Sequence, residues 1–174
     1  EVIKYGVLCN PGLFASLEKT PLTKSCDDHE RLEEVIARCV EIKRDVVSND
    51  ECERGLRQTL NLGHTIGHAV ESANEYRLGH GSSVAAGMCI MARACAKRGW
   101  CDQDVAHRIE ATVAAHGLPT STDCDVDPLF RHARADKKRH GSTMNVVVAS
   151  EIGTSRIETL TLDDFRAFVH DACV

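Results

Sequence analysis

Aromatic residues are scarce in this sequence: one Trp, two Tyr and four Phe among 174 residues. A core must therefore be built from Ala, Val, Leu and Ile, and such small side chains suit helices packed close together. No run of about 18 apolar residues occurs, which argues against a membrane-spanning helix. No stretch has the charged, apolar and small-residue order of a secretory leader. Basic residues do not dominate. Lys and Arg number 21 against 26 Asp and Glu, and the resulting net charge of −5 argues against a general nucleic-acid binder. No C-x-x-C pair is found among the nine cysteines, so neither a zinc ribbon nor a thioredoxin motif is supported. The cysteines are scattered, odd in number and often at apolar positions, where Cys acts as a small hydrophobe. Reduced thiols in a cytoplasmic protein are the expectation. Neither a G-x-G-x-x-G loop nor a Walker loop is present, so the residues themselves give no nucleotide site. Internal repeats and low-complexity segments are also missing.

What is present is enough apolar material, 43%, for one domain spanning 1–174. Apolar spacing predicts helices over Glu1–Leu8, Leu13–Glu18, His29–Ser48, Arg57–Ser72, Ser82–Gly99, Gln103–His116, Pro128–Ala135 and Asp164–Cys173. Asn10-Pro11-Gly12 and Gly117-Leu118-Pro119 are stops, and Thr161 is a capping residue for the last helix. Met144–Ala149 and Ser155–Leu160 read as strands joined around Gly153. The fold class is mainly α, a multi-helical bundle with one small β-hairpin near the C-terminus. The chain opens on Glu1, inside what already looks like an amphipathic helix, and is expected to be part of a longer protein.

The segment R-Q-T-L-N-L-G-H-T-I-G-H-A-V-E-S, residues 57–72, carries the chemistry. As one continuous α-helix it places Arg57, Asn61, His64 and His68 at i, i+4, i+7 and i+11, in line on one face. Leu62, Ile66, Ala69, Val70 and Ala73 fall opposite. A solvated helix face usually carries Glu and Lys, so a cation, an amide and two imidazoles in register suggest a site. An exposed polar face is the alternative. His80 follows on the loop Asn74–Gly81. Imidazoles suit Zn²⁺ and similar metals, and a His pair at i, i+4 can share one. The intervening Thr65-Ile66-Gly67 supplies no glutamate, which rules out H-E-x-x-H protease chemistry. Gly63 and Gly67 each cost about 1 kcal/mol of helix stability, and they allow close approach of either another helix or a ligand. Lys43 lies near the centre of an apolar stripe, Leu32, Val35, Ile36, Cys39, Val40, Val46 and Val47. It either snorkels or points its ammonium into a cleft for an anion. Asp136-Lys137-Lys138-Arg139 is either solvated surface or a further source of positive charge for a phosphate or carboxylate.

Taken together, L-N-L-G-H-T-I-G-H-A-V-E (60–71) and H-G-S-S-V-A-A-G-M (80–88) closely resemble the C-terminal domain of 3-dehydroquinate synthases. E-V-I-K-Y-G-V-L (1–8), K-R-D-V-V-S-N-D-E-C-E-R-G-L-R (43–57), D-K-K (136–138) and V-V-V-A-S-E-I-G (146–153) extend the resemblance over nearly the whole chain. It implies a shikimate-pathway enzyme of two domains, with an N-terminal NAD-binding α/β domain absent from this chain and a full-length homodimer. The reaction implied is conversion of 3-deoxy-D-arabino-heptulosonate 7-phosphate to 3-dehydroquinate and phosphate, with NAD and a divalent metal, Zn²⁺ or Co²⁺.

By motif, the resemblance puts the metal ligands on Glu1, His64 and His80. His68 becomes a non-ligand that assists proton transfer and contacts phosphate. Lys43, Arg57 and Asn61 become contacts to the substrate's anionic groups and hydroxyls, and Lys138 or Lys137 a further phosphate contact. Without its NAD domain the chain alone is expected to be inactive. One departure stands out: the family commonly has an acidic and then a small residue after His-Gly, whereas Ser82 and Ser83 stand here. A related cyclase acting on another sugar phosphate, or a helical module that binds a metal or partner without catalysis, are the competing expectations.

Overall fold

The computed structural model describes residues 1–24, 27–53, 55–136 and 143–173. Helices α1 (Val2–Cys9) and α2 (Pro11–Lys19) open the chain, followed by a short 3-10 turn and the long α3 (His29–Asn49). A 3-10 segment, Leu56–Asn61, precedes α4 (His64–Ala73). Then come α5 (His80–Lys97), α6 (Gln103–Ala115), α7 (Val126–Asp136), β1 (Thr143–Glu151), β2 (Thr154–Thr161) and α8 (Leu162–Cys173). The mainly helical class and the C-terminal hairpin agree with the sequence expectation. No described helix is long and apolar enough to cross a membrane.

Local chemistry fixes the helix starts. The Asn10 side chain accepts from Leu13 N at 2.9 Å, with Pro11 as the first helical residue of α2. Asp28 caps α3 by accepting from Arg31 N at 3.0 Å. Thr161 Oγ1 accepts from Asp164 N at 3.1 Å, the cap expected for the last helix. The two strands pair antiparallel with Val147 opposite Ile157, and a register irregularity lies between Ala149 and Glu151.

Helix α5 is the central strut. A helix buried nearly all round has no polar face to preserve, and α5 contributes to two apolar clusters. Met88, Cys89 and Ala92 pack with Val7, Phe14, Leu17 and Ile109. Ile90, Met91 and Cys95 pack with Ile66, Leu129, Val146, Phe165 and Phe168. The few aromatics are concentrated here: Phe14, Phe165 and Phe168 are fully buried, so the core is less exclusively aliphatic than composition implied. Burial by desolvation pushes the Cys89 and Cys95 thiols up to about 12, as expected of cysteines acting as small hydrophobes.

Helix α4 meets α5 backbone to backbone. A Cβ at Gly67 would stand 2.8 Å from Val84 Cα, and one at Gly87 would stand 2.3 Å from the Gly63 carbonyl oxygen. Of the two roles open to Gly63 and Gly67, close approach of a helix is the one observed. Helix α3 behaves differently. Its apolar stripe was expected to face inward, yet only Val35 is buried, while Ile36 and Val40 are 60% and 61% exposed. Lys43 on the same helix is exposed rather than buried among apolar neighbours.

Candidate metal centre

The continuous helix expected over Arg57–Ser72 is broken. The stretch Leu56–Asn61 is 3-10, the chain turns at Leu62-Gly63, and an α-helix starts afresh at His64. Gly63 adopts φ +76°, and a Cβ there would also lie 2.8 Å from the Val84 carbonyl oxygen. Only glycine fits both the left-handed backbone and the close approach of α5. The 3-10 segment is anchored from outside, because Asp50 Oδ2 accepts from Gly55 N and Arg57 N at 2.8 and 3.0 Å. His64 and His68 keep their one-turn relation on α4, but Arg57 and Asn61 reach the site from a separate element. His80, expected on a loop, is the first residue of α5, which begins two residues earlier than its apolar pattern suggested.

These elements bring one donor from each of Glu1, His64 and His80 within 4.8 Å of one another. His64 Nε2 lies 3.3 Å from Glu1 Oε1, and His80 Nε2 lies 3.5 Å from the same oxygen. Both imidazoles are held at their other nitrogen. His64 Nδ1 donates to the Leu62 carbonyl at 3.1 Å, which the turn at Gly63 leaves within reach. His80 Nδ1 is 3.2 Å from Glu71 Oε2. With each Nδ1 engaged in this way, Nε2 is the nitrogen of each ring that faces Glu1.

The donor set fits a borderline divalent ion. Donors bonded tetrahedrally to zinc at about 2.0–2.1 Å stand about 3.3 Å apart, close to the 3.3 and 3.5 Å from Glu1 to the two histidines. Glu1 is held well below the usual carboxylate range, chiefly by its hydrogen bond to His64, against the opposing effect of burial and with further help from Lys4. It is therefore an anionic donor at neutral pH. His68 falls outside this set, its ring centroid 5.5 Å from that of His64 and 5.7 Å from that of His80.

A cleft of about 480 Å³ opens beside the donors, lined by Glu1, Lys4, Tyr5, Lys43, Glu53, Arg57, Leu60, Asn61 and His64. Lys43, Arg57 and Asn61 are thus gathered at one cleft, although not on one helix. Lys137 and Lys138 lie outside the described residues. Sequence reasoning missed two charged members of the cleft, Lys4 and Glu53. Lys4 is a buried cation whose Nζ is 2.6 Å from Glu1 Oε2; its position one turn from Glu1, between Ile3 and Val7, is the signal that could have found it. Glu53 Oε1 accepts from Asn61 Nδ2 at 2.9 Å, with Arg57 Nε 4.0 Å from its other oxygen. Arg57 also donates to the Glu51 carbonyl at 2.8 Å. The cleft therefore offers cations and hydrogen-bond donors for an anionic, hydroxyl-rich ligand next to a metal-type donor set. A larger cavity of about 660 Å³, lined by α7 and α8 residues including Asp127, Asp163 and His170, brings no three such donors together among the described residues.

Residues 1–139 match the family described as 3-dehydroquinate synthase C-terminal. Curated relatives include the 3-dehydroquinate synthases of Shewanella loihica, 39% identical over 90% of this chain and 45% of that protein, and of Clostridium perfringens, 36% identical over 95% and 47%. The chain spans about half the length of the curated relatives it matches. Among solved structures, 2-epi-5-epi-valiolone synthase from Streptomyces hygroscopicus with NAD⁺ and Zn²⁺ bound superposes with a TM-score of 0.83 at 22% identity, over 98% of this chain and 49% of that one. A 2-deoxy-scyllo-inosose synthase complexed with carbaglucose-6-phosphate, NAD⁺ and Co²⁺ gives 0.76 at 19% identity, again over 98% and 49%. At those identities the likeness is one of fold.

Proposed function

This chain belongs to the 3-dehydroquinate synthase C-terminal family, and from that premise we propose that it is the metal- and substrate-binding part of an enzyme that converts 3-deoxy-D-arabino-heptulosonate 7-phosphate to 3-dehydroquinate and phosphate. The observation that carries the proposal is the convergence of Glu1, His64 and His80 beside a cleft lined by Lys43, Arg57 and Asn61. Curated relatives at 36–39% identity favour this substrate over those of the related cyclases at 19–22%.

Glu1, His64 and His80 would hold a divalent ion, Zn²⁺ or Co²⁺. Bound there, it would supply Lewis-acid polarisation of a substrate hydroxyl, while NAD held by residues outside this chain would supply reversible hydride removal. The chain's own residues do the rest. Lys43 and Arg57 bind the phosphate and carboxylate of the substrate, Arg57 with a planar fork suited to either. Asn61, steadied by Glu53, orients a hydroxyl. Lys4 holds the Glu1 carboxylate in place and presents a buried positive charge to the same cleft. His68, flanking both histidine ligands, relays the proton released from the carbon next to the oxidised centre to the departing phosphate, as the C–H and C–O bonds break and a C=C bond forms. Lys138 or Lys137 adds a further phosphate contact. Much of the rate enhancement then comes from positioning and fixed charge.

The test uses the full-length protein. Phosphate release from the heptulosonate phosphate should require NAD and stop on complete metal removal. His68→Ala should lower turnover by about 10²-fold or more while leaving metal affinity within a few-fold. Turnover that survives complete metal removal would overturn the reading. So would a His68→Ala variant that loses metal and activity in parallel, because His68 would then serve the metal and not the proton transfer. Release of phosphate from a different sugar phosphate only, in a substrate panel, would reassign the substrate.

A further inference from the structure

We propose that Glu71 is a positioning residue for the metal site: its carboxylate fixes the His80 ring so that Nε2, and not Nδ1, faces Glu1. The proposal rests on the metal-site reading above and deepens it.

His80 needs such a support more than His64 does. The His64 side chain is 14% exposed and its Nδ1 is tied to the backbone of Leu62, two residues away. The His80 side chain is 47% exposed at the first position of α5, with the His64 and His68 rings 5.4 and 5.7 Å away, contacts that do not choose between its two nitrogens. The contact that does is Glu71 Oε2, 3.2 Å from Nδ1. Glu71 is suited to the task by its place on α4. It follows His64 and His68 at i+7 and i+3, on the same helix face, and its side chain is only 17% exposed.

The same residue also secures the approach to His80. The Glu71 carbonyl accepts from Tyr76 N at 2.8 Å, fixing the start of the turn that runs from α4 to Gly79. Glu71 therefore grips the connection at both ends, with its backbone at Tyr76 and its carboxylate at His80. No carboxylate is available from the α5 side, where Ser82 and Ser83 stand. Ser83 is buried and its hydroxyl donates to the Gly79 carbonyl at 3.0 Å. A carboxylate behind a metal-binding imidazole fixes its tautomer and raises its basicity, and loss of such a partner typically weakens metal binding about 10–100-fold.

The test is metal binding by the metal-free full-length protein, with Zn²⁺ affinity measured by competition and the Co²⁺ visible spectrum recorded in parallel. Glu71→Ala should bind Zn²⁺ about 10–100-fold more weakly and alter the Co²⁺ absorption. Glu71→Gln keeps an acceptor of the same reach and should fall between Ala and the native protein, with an unchanged melting midpoint in the metal-free state. Zn²⁺ affinity of Glu71→Ala within about twofold of native, or Glu71→Gln no better than Glu71→Ala, would overturn the proposal. His64→Ala and His80→Ala separate the two readings. If both lose metal while Glu71→Ala does not, the metal site stands and the role of Glu71 falls. If both bind as the native protein does, the metal-site reading fails and takes this proposal with it.

Discussion

The crossing of α4 and α5 sets where His64 and His80 stand, and Gly87→Ala tests it. A methyl at Gly87 would lie 2.3 Å from the Gly63 carbonyl oxygen and 2.6 Å from Gly67 N. Both obstacles are backbone, so no side-chain rotation relieves them. Restoring ordinary contact requires the helices to part by roughly 1 Å, enough to forfeit a quarter to a half of each nearby dispersion contact. Overpacking of this kind costs about 1–3 kcal/mol, while Gly→Ala within a helix returns about 1 kcal/mol. With the clash at the upper end of its range, the net loss is about 2 kcal/mol. Each kcal/mol shifts the midpoint of a protein this size by about 2–4 °C, so thermal unfolding followed by far-ultraviolet circular dichroism should show a drop of roughly 4–8 °C. Gly81→Ala is the control. It lies in the first turn of the same helix with nothing within 4 Å of the added carbon, and it should be neutral or slightly stabilising. Zinc affinity should fall in Gly87→Ala and not in Gly81→Ala, because only the former moves His64 relative to His80. A Gly87→Ala midpoint within about 1 °C of the parent would refute the close crossing.

Other expectations follow from groups away from the cleft. Cys89 and Cys95, with thiols pushed up to about 12 by burial, should resist alkylation in the native state while the exposed Cys52 is modified. Rapid native labelling of the buried pair, read by peptide mass spectrometry, would contradict the packing of α5. Arg108 donates to both oxygens of Glu18 at 2.9 and 3.0 Å, joining α6 to α2 and holding that carboxyl below its ordinary 4.5. A depressed carboxylate stabilises the fold above its ordinary value and loses that contribution as pH falls through its lowered one. The pair is exposed, so a double-mutant cycle with Glu18→Gln and Arg108→Gln should give about 0.2–1 kcal/mol near pH 7. That coupling should shrink below about pH 4.5 and weaken with salt, and a value constant down to about pH 2 would count against it.

Much of the architecture was legible because it rests on local rules. Apolar spacing marked the helices, Asn10-Pro11-Gly12 marked a break, Thr161 marked a start, and the strand pattern around Gly153 marked the hairpin. The break inside Arg57–Ser72 was not legible, for a physical reason. The polar residues keep helical spacing straight through Gly63, and the left-handed turn there, φ +76°, is packed against Val84 and Met88 of another element, which no local pattern shows. The exposure of Ile36 and Val40 was hidden likewise, since periodicity shows that a helix has an apolar face and not what covers it. At the site, spacing alone paired His64 with His68. The grouping of His64 with Glu1 and His80 came from the family resemblance, because its members are distant in sequence and meet only where α1, α4 and α5 converge. Lys4 and Glu71 escaped notice because each reads as an ordinary charged residue on an amphipathic helix until a partner appears beside it.

Helix α3 gives the cleft walls of unequal stiffness. The metal-type donors His64 and His80 stand on helices locked backbone to backbone, where local opening requires disrupting the core. Lys43 stands on a 21-residue helix that buries Val35 alone. Beyond Val35, only the half-buried Cys39 and Ile42 pack against the core, so less apolar contact opposes small excursions of α3 than of α4 or α5. On the proposed function, an anion drawn to Lys43 would act on that wall while the donor atoms keep their spacing. On the same reading, capture of charge and maintenance of the metal geometry would fall to mechanically separate parts of the same small cleft.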